Sequence, residues 1–284
     1  MNKQDIKNFT AQLKRKPESH KYDYGHVLVI AGSKNMPGAG VLCCNSAMRS
    51  GAGLVTYAVQ ESFFASACAM SKPETMFFVY KAADDILKFI KNRKVSSVVI
   101  GPGLVIDSKL WSFILKIITS VNIPVILDAS GISAFNNNYA GLKKAKAKLI
   151  LTPHVGEFTK LIGQGGHGSE AKAFARDNNV IFVLKGHNTL VSNGVETYKN
   201  YSGTPAMATA GSGDVLSGAI AALAGILPDL FEAVKSAVFA HGLAGEISEK
   251  DKGSSGVIAS DIAENICYAI KALSSGRRDK WKMN

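Results

Sequence analysis

The residues best suited by type and spacing to do chemistry are Gly211, Ser212, Gly213 and Asp214, inside the run GTPAMATAGSGDVLSG. Small residues let a backbone approach an anion closely, and a helical pattern opens at about Asp214. Free amides at a helix N-terminus, with the positive end of its dipole, make a phosphate site. A carboxylate beside it can take a proton from an alcohol that attacks phosphorus. The run is not a Walker loop, because the Gly-Lys-Ser/Thr ending is missing, and it is not GxGxxG. Asp214 serves equally well as a plain helix N-cap. As a base it meets a difficulty, since N-terminal amides are expected to lower its pKa.

Other polar residues recur directly after apolar runs. Residues 26–31 lead into Gly32-Ser33-Lys34 and on to Ala39-Gly40, and 97–100 into Gly101-Pro102-Gly103. Asp128 ends 124–128, and 148–152 runs into Pro153-His154-Val155-Gly156-Glu157. Lys185 ends 180–185 and is followed by Gly186, His187, Asn188 and Thr189. Singly these are turn signals. Together they describe one composite ligand site, because open α/β sheets bind ligands beyond the carboxyl ends of their strands. Asp128 then faces the crevice or caps a short helix at 131–135, and Lys185 binds phosphate or simply ends its strand. His154 sits in a first helical turn, where Glu157 completes a capping box or a metal site. His241, beside Gly242 on a long helix, reads as packing.

The elements that must position these residues alternate. Strand patterns at 26–31, 54–59, 75–80, 97–100, 124–128, 148–152 and 180–185 are nearly continuous apolar runs, as parallel strands covered on both faces require. Helical patterns at 41–50, 84–92, 108–121 and 170–178 lie between them. A hairpin, 189–192 and 195–199, is expected around Asn193-Gly194 with a type I′ turn. Three helical patterns follow without a strand: 215–226, 230–250 and 259–273. A closed eightfold barrel would not finish this way, so the expected fold is an α/β three-layer sandwich with an open, mostly parallel sheet and helices on both faces. Residues 163–169 read as a surface loop or a lid.

Charge narrows the function. The 284 residues carry 33 Lys and Arg against 22 Asp and Glu, a net +11, which alone suggests nucleic acid or a membrane surface. Yet residues 1–21 hold six bases and two acids, and 271–284 hold five bases and one acid, so +8 of that charge belongs to the ends. The expected layout is a basic segment 1–21, one domain over 22–273 and a basic tail 274–284, with no nucleic-acid or membrane partner. No apolar signal core or membrane-length run occurs, and Cys43, Cys44, Cys68 and Cys267 form no CxxC. A soluble protein of a reducing cytoplasm is expected.

With these residues in place, the blocks HVLVIAGS, SGAGLVT, GPGL, LDASGI, LTPHVGE, VLKGHNTLV and GTPAMATAGSGDVLSGAIAALA resemble the NAD(P)H-hydrate dehydratases of the ribokinase-like superfamily. The likeness runs from about Tyr22 to Leu273. It implies a ribokinase-like fold and a reaction in which ADP or ATP phosphorylates the hydroxyl of hydrated NADH or NADPH, after which phosphate is eliminated. By motif, it implies Asp214 as the base and Gly211, Ser212 and Gly213 as an anion hole. Lys185, Gly186, His187, Asn188 and Thr189, with Gly213, match the nucleotide-binding positions. Ala39, Gly103 and His154, with Asp214, match the hydrated-cofactor pocket. Mg²⁺ with unassigned ligands and a homo-oligomer (dimer or tetramer) are implied as well. With only about 20 residues ahead of the first strand, the epimerase domain common in bacterial fusions is expected to be absent. The sequence departs from the usual pattern at Val105, Ser130, Val155, Ala206 and Ala210, and none of these replaces Asp214 or the Gly211–Gly213 loop. A sibling kinase acting on a vitamin-precursor alcohol shares the GSGD block; the TPHVGE and KGHNT blocks favour the dehydratase.

Overall fold

The computed structural model describes residues 13–274 except 137, 164 and 167. Nine strands form one sheet: β1 His26–Ile30, β2 Leu54–Val59, β3 Met76–Val79, β4 Ser97–Ile100, β5 Pro124–Leu127, β6 Lys148–Leu151, β7 Ile181–Leu184, β8 Leu190–Ser192 and β9 Thr197–Lys199. Their order is β3-β2-β1-β4-β5-β6-β7-β8-β9, parallel through β7 and antiparallel beyond it. Because strand order reverses between β1 and β4, a crevice opens at their carboxyl ends. Gly32 N there donates to the Pro102 carbonyl at 2.7 Å.

The helices are α1 Pro37–Arg49, α2 Phe64–Met70, α3 Ala83–Arg93, α4 Leu110–Ile118, α5 Ser130–Ser133, α6 Val155–Ile162, α7 Gly168–Asn178, α8 Ser212–Ile226, α9 Leu230–Lys252 and α10 Ala259–Ser274. Strand side chains alternate between two cores. Val27, Val29, Val99 and Ile126 join α1, α8, α9 and α10 in one cluster. Leu28, Ile30, Val98 and Leu127 join α3, α4, α6 and α7 in the other. This is the expected three-layer sandwich.

Boundaries shift where local chemistry decides them. Helix α1 starts at Pro37, earlier than the expected 41, because proline suits a first helical position. Helix α4 is shorter than the expected 108–121, ending at Ile118. The hairpin forms, but its turn spans four residues. The Asn193 side chain accepts from Val195 N at 3.0 Å and Glu196 N at 2.7 Å, and Asn193 is not among the positive-φ residues a type I′ turn requires.

Most of the basic segments 1–21 and 274–284 lies outside the described residues. Within the first, Arg15 stacks over Tyr24 at 4.5 Å and donates to the Gly51 carbonyl at 3.2 Å, so packing begins before residue 22. Residues 164 and 167 of the expected loop also lie outside; its described part is tied down by Thr159 Oγ1 donating to the Gly165 carbonyl at 2.7 Å.

Helix α8 carries the glycine loop, and its seat is tight. Val215 through Ala224 are all buried, which marks a helix enclosed on every side. A Cβ added at Gly218 would sit 2.2 Å from the Cys43 carbonyl oxygen of α1. Gly218→Ala is therefore expected to force the helices apart and destabilise the fold by about 1–3 kcal/mol. A thermal melt checks it, each kcal/mol lowering Tm by about 2–4 °C in a domain of this size.

Candidate active site

The first turn of α8 stands beside Asp128 and Lys185, at the carboxyl ends of β5 and β7. Gly211, at φ 88°, is the N-cap, so the helix opens at Ser212 and Asp214 is its third residue. Asp214 is thus not the N-cap that sequence alone allowed. Three side chains from neighbouring helices grip the carbonyls of this turn. His241 Nε2 lies 3.0 Å from the Ser212 carbonyl, Cys43 Sγ donates to that of Asp214 at 3.1 Å, and Ser46 Oγ to that of Val215 at 2.5 Å.

Beneath it lies a chain of charges. Asp128, 1% exposed, accepts from Lys185 Nζ at 2.7 Å through Oδ1 and from Ser217 Oγ at 2.8 Å through Oδ2. Lys185 Nζ also lies 3.8 Å from Glu157 Oε2. A Cβ built on Gly213 would be 3.2 Å from Lys185 Nζ and 3.8 Å from Asp128 Oδ2, so the ammonium faces the small-residue turn. Of the alternatives left open, Asp128 does not cap the short helix, whose N-cap is Ala129, and Lys185 does more than end a strand. Glu157 forms the capping box with His154: His154 N donates to Glu157 Oε2 at 2.8 Å, and Glu157 N to His154 Nδ1 at 3.2 Å.

The remaining candidates surround this centre. Ala39 and Gly103 meet at the β1–β4 crevice, where a Cβ on Gly103 would come 2.9 Å from that of Ala39. Ala39 stands one turn before Cys43 on α1, about 6 Å along the axis, so one helix links this pair to Asp214. His154 is exposed at the rim and bridges in parallel to Lys185. Residues 186–189 form a turn closed by Thr189 Oγ1 donating to the Gly186 carbonyl at 3.1 Å, with Asn188 at φ 60° and His187 exposed. Ser130 donates to the Leu104 carbonyl at 2.7 Å and so fixes the loop behind Gly103, while Val105 and Val155 are exposed. Sequence reasoning missed Ser217 and the bonded roles of Cys43 and His241. Only Ser217 left a signal, three residues past Asp214 on one helix face.

Electrostatics correct one expectation. The amides do not leave Asp214 a weak base: burial, and then the charge of Asp128, push its pKa up to about 7 against the opposing pull of Lys185. Burial pulls the Lys185 ammonium down, but the charges of Asp128, Glu157 and Asp214 outweigh it and hold the pKa above the usual lysine value. His241 is pushed down to about 4 by burial against its bond to Ser212, aided by Lys185. It is therefore neutral near pH 7, its Nε2–H donating to the Ser212 carbonyl.

A carboxylate with a pKa near 7, a fixed ammonium and a helix N-terminus are the parts of a phosphoryl-transfer site. Among the described residues, no cluster of three or more His, Cys, Asp or Glu could hold a metal ion. Both Asp128 oxygens are already engaged, so the described residues do not by themselves build a Mg²⁺ cage.

The chain is similar to known proteins over most of its length. The family model for NAD(P)H-hydrate dehydratase matches residues 27–267. The ADP-dependent (S)-NAD(P)H-hydrate dehydratase of Listeria monocytogenes is 34% identical over 92% of this chain and 93% of its own length. A bifunctional NAD(P)H-hydrate repair enzyme of Thermofilum pendens is 33% identical over 91% of this chain, which spans 52% of that relative. Among solved structures, the Bacillus subtilis ADP/ATP-dependent NAD(P)H-hydrate dehydratase, co-crystallised with ATP and Mg²⁺, superposes with a TM-score of 0.81. It is 29% identical, over 94% of this chain and 97% of that one. A hydroxyethylthiazole kinase from Pyrococcus horikoshii, at 17% identity and a TM-score of 0.64, shares the fold alone. With the matched region containing both the glycine turn and the charge chain beneath it, the chain belongs to the NAD(P)H-hydrate dehydratase family.

Proposed function

We propose that the protein repairs hydrated NADH or NADPH at the expense of a nucleotide, ADP or ATP, as a hydro-lyase. The observation that carries this is the placement of Asp214, in the first turn of α8, above the Lys185–Asp128 pair. Ionised Asp214 takes the proton of the hydrate hydroxyl as its oxygen attacks the donor's terminal phosphorus. The bridging P–O bond of the donor breaks, and AMP leaves when the donor is ADP. The phosphoryl group is met by the amides of residues 211–213 and by Lys185 Nζ. The ring then loses phosphate and a proton from the adjacent carbon, which regenerates the reduced nicotinamide.

Residues 185–189 bind the donor on this reading, while Ala39, Gly103 and His154 line the hydrated-cofactor side. Mg²⁺ would arrive on the nucleotide phosphates, and no step here depends on it. The protein is further proposed to act in the cytoplasm as a dimer or tetramer. Four free cysteines support a reducing compartment, and no helix among the described residues is long and apolar enough to cross a membrane. The test is incubation with hydrated NADH and either nucleotide while absorbance of the reduced nicotinamide is followed. Recovery with stoichiometric AMP from ADP is the expected result. An absence of recovery with both nucleotides overturns the proposal.

A further inference from the structure

We infer that Asp128 is a positioning residue for this reaction: through Ser217 and Lys185 it fixes the charges on both sides of the transferring phosphoryl group. The inference rests on the function proposed above. Three observations carry it. Asp128 is 1% exposed, and a buried carboxylate persists only when both oxygens are paired. Its two partners come from different elements, Lys185 from the end of β7 and Ser217 from α8, one turn beyond Asp214. The next residue, Ala129, is held at φ 48°, ψ −117°, a strained conformation for a side-chain-bearing residue that persists only where its surroundings dictate it.

Each bond has a consequence. The bond to Lys185 aims the ammonium at Gly213, so a cation waits where phosphoryl charge arrives and nothing reorganises during transfer. The bond to Ser217 fixes the rotation of α8, and with it the direction of Asp214. The groups facing Asp214 are Asp128 from β5, Lys185 from β7 and Cys43 from α1. Beyond them, Glu157 of α6 acts on Lys185, and neutral His241 of α9 holds the Ser212 carbonyl. After burial, Asp128 is the negative charge that keeps Asp214 able to accept a proton near neutral pH.

The test is a pair of substitutions with opposite signs. Asp128→Asn removes the negative charge and frees Lys185 to pair with Asp214, so the acid limb of the kcat profile should move down by about one pH unit. Lys185→Met should move it up. Both should lower kcat by about 100-fold or more. Asp128→Asn takes from the buried ammonium its nearest carboxylate and can cost stability, so the double variant Asp128→Asn/Lys185→Met is the companion. It should melt nearer the wild type, stay slow and place its limb between those of the single variants. A residue that only braces the fold would lower Tm without moving the limb. Limbs that stay fixed, or move the same way in both single variants, overturn the inference. Carboxyl-carbon NMR of Asp214 reads the same titration without turnover. An inactive wild type whose Asp214 titration still moves with the two substitutions would defeat the proposed reaction and leave the charge arrangement standing.

Discussion

Asp214→Asn is expected to lower turnover by about 100- to 10,000-fold while nucleotide binding persists and the folded protein becomes more stable. Rate falls because the amide cannot accept the hydroxyl proton. Stability rises for a reason that can be followed with pH. Folding raises the pKa of Asp214 to about 7, so between the usual carboxylate value and pH 7 the folded chain holds a proton that the unfolded chain has released. Stability of the wild type must therefore fall as pH rises through that window. Asparagine, which never ionises, escapes this loss. The Tm advantage of the variant should be absent near pH 4, grow toward pH 7 and level off above it, at about 2–4 °C per kcal/mol recovered. Wild-type kcat should show an acid limb near pH 7. Thermal melts and kcat across this range check both. Unchanged turnover would reduce Asp214 to a helical residue with no part in the chemistry.

That coupling of function and instability explains what the sequence could and could not convey. Parallel strands buried on both faces write themselves as apolar runs, so β1 through β7 were legible, and so was their convergence on a crevice. Helix α8 was legible as a helix, but its start was not. Gly211 adopts a positive φ that composition cannot distinguish from any other glycine, and this moves Asp214 from the N-cap to the third position. The sign of the Asp214 shift was illegible for a related reason. The amides act locally and can be read from spacing, whereas the burial and the Asp128 charge that outweigh them come from elements far apart in the chain. Lys185 and Asp128 are 57 residues apart and meet only because β5 and β7 flank β6 in the sheet. His241 shows the limit most clearly: its neighbours in sequence are packing residues, and its bond to Ser212 spans 29 positions.

Gly213→Ala separates a site from a scaffold more sharply than any charge substitution. Gly213 is the second residue of α8 and is not among the positive-φ glycines, so alanine fits its backbone. Alanine favours a helix over glycine by about 0.5–1 kcal/mol. The added methyl would stand 3.2 Å from Lys185 Nζ, a side-chain end that can yield by a few tenths of an ångström and keep its 2.7 Å bond to Asp128 within hydrogen-bonding range. The fold should lose nothing. Phosphoryl oxygens, however, must come within about 2.9 Å of the amides of this turn, and the methyl occupies the space between those amides and the ammonium. Loss of one such donor typically costs about 100- to 1,000-fold in kcat. The expected result is an enzyme at least as stable as the wild type, with kcat reduced by that factor. Gly218→Ala, five residues on, makes the reverse prediction, because its methyl meets a carbonyl oxygen of α1 that cannot yield. Parallel melts and steady-state rates for the two variants decide the matter. Wild-type turnover in Gly213→Ala would move the phosphoryl group away from the N-terminus of α8. A stability loss as large as that of Gly218→Ala would mean that this turn is packed for the fold, with no space kept open for a ligand.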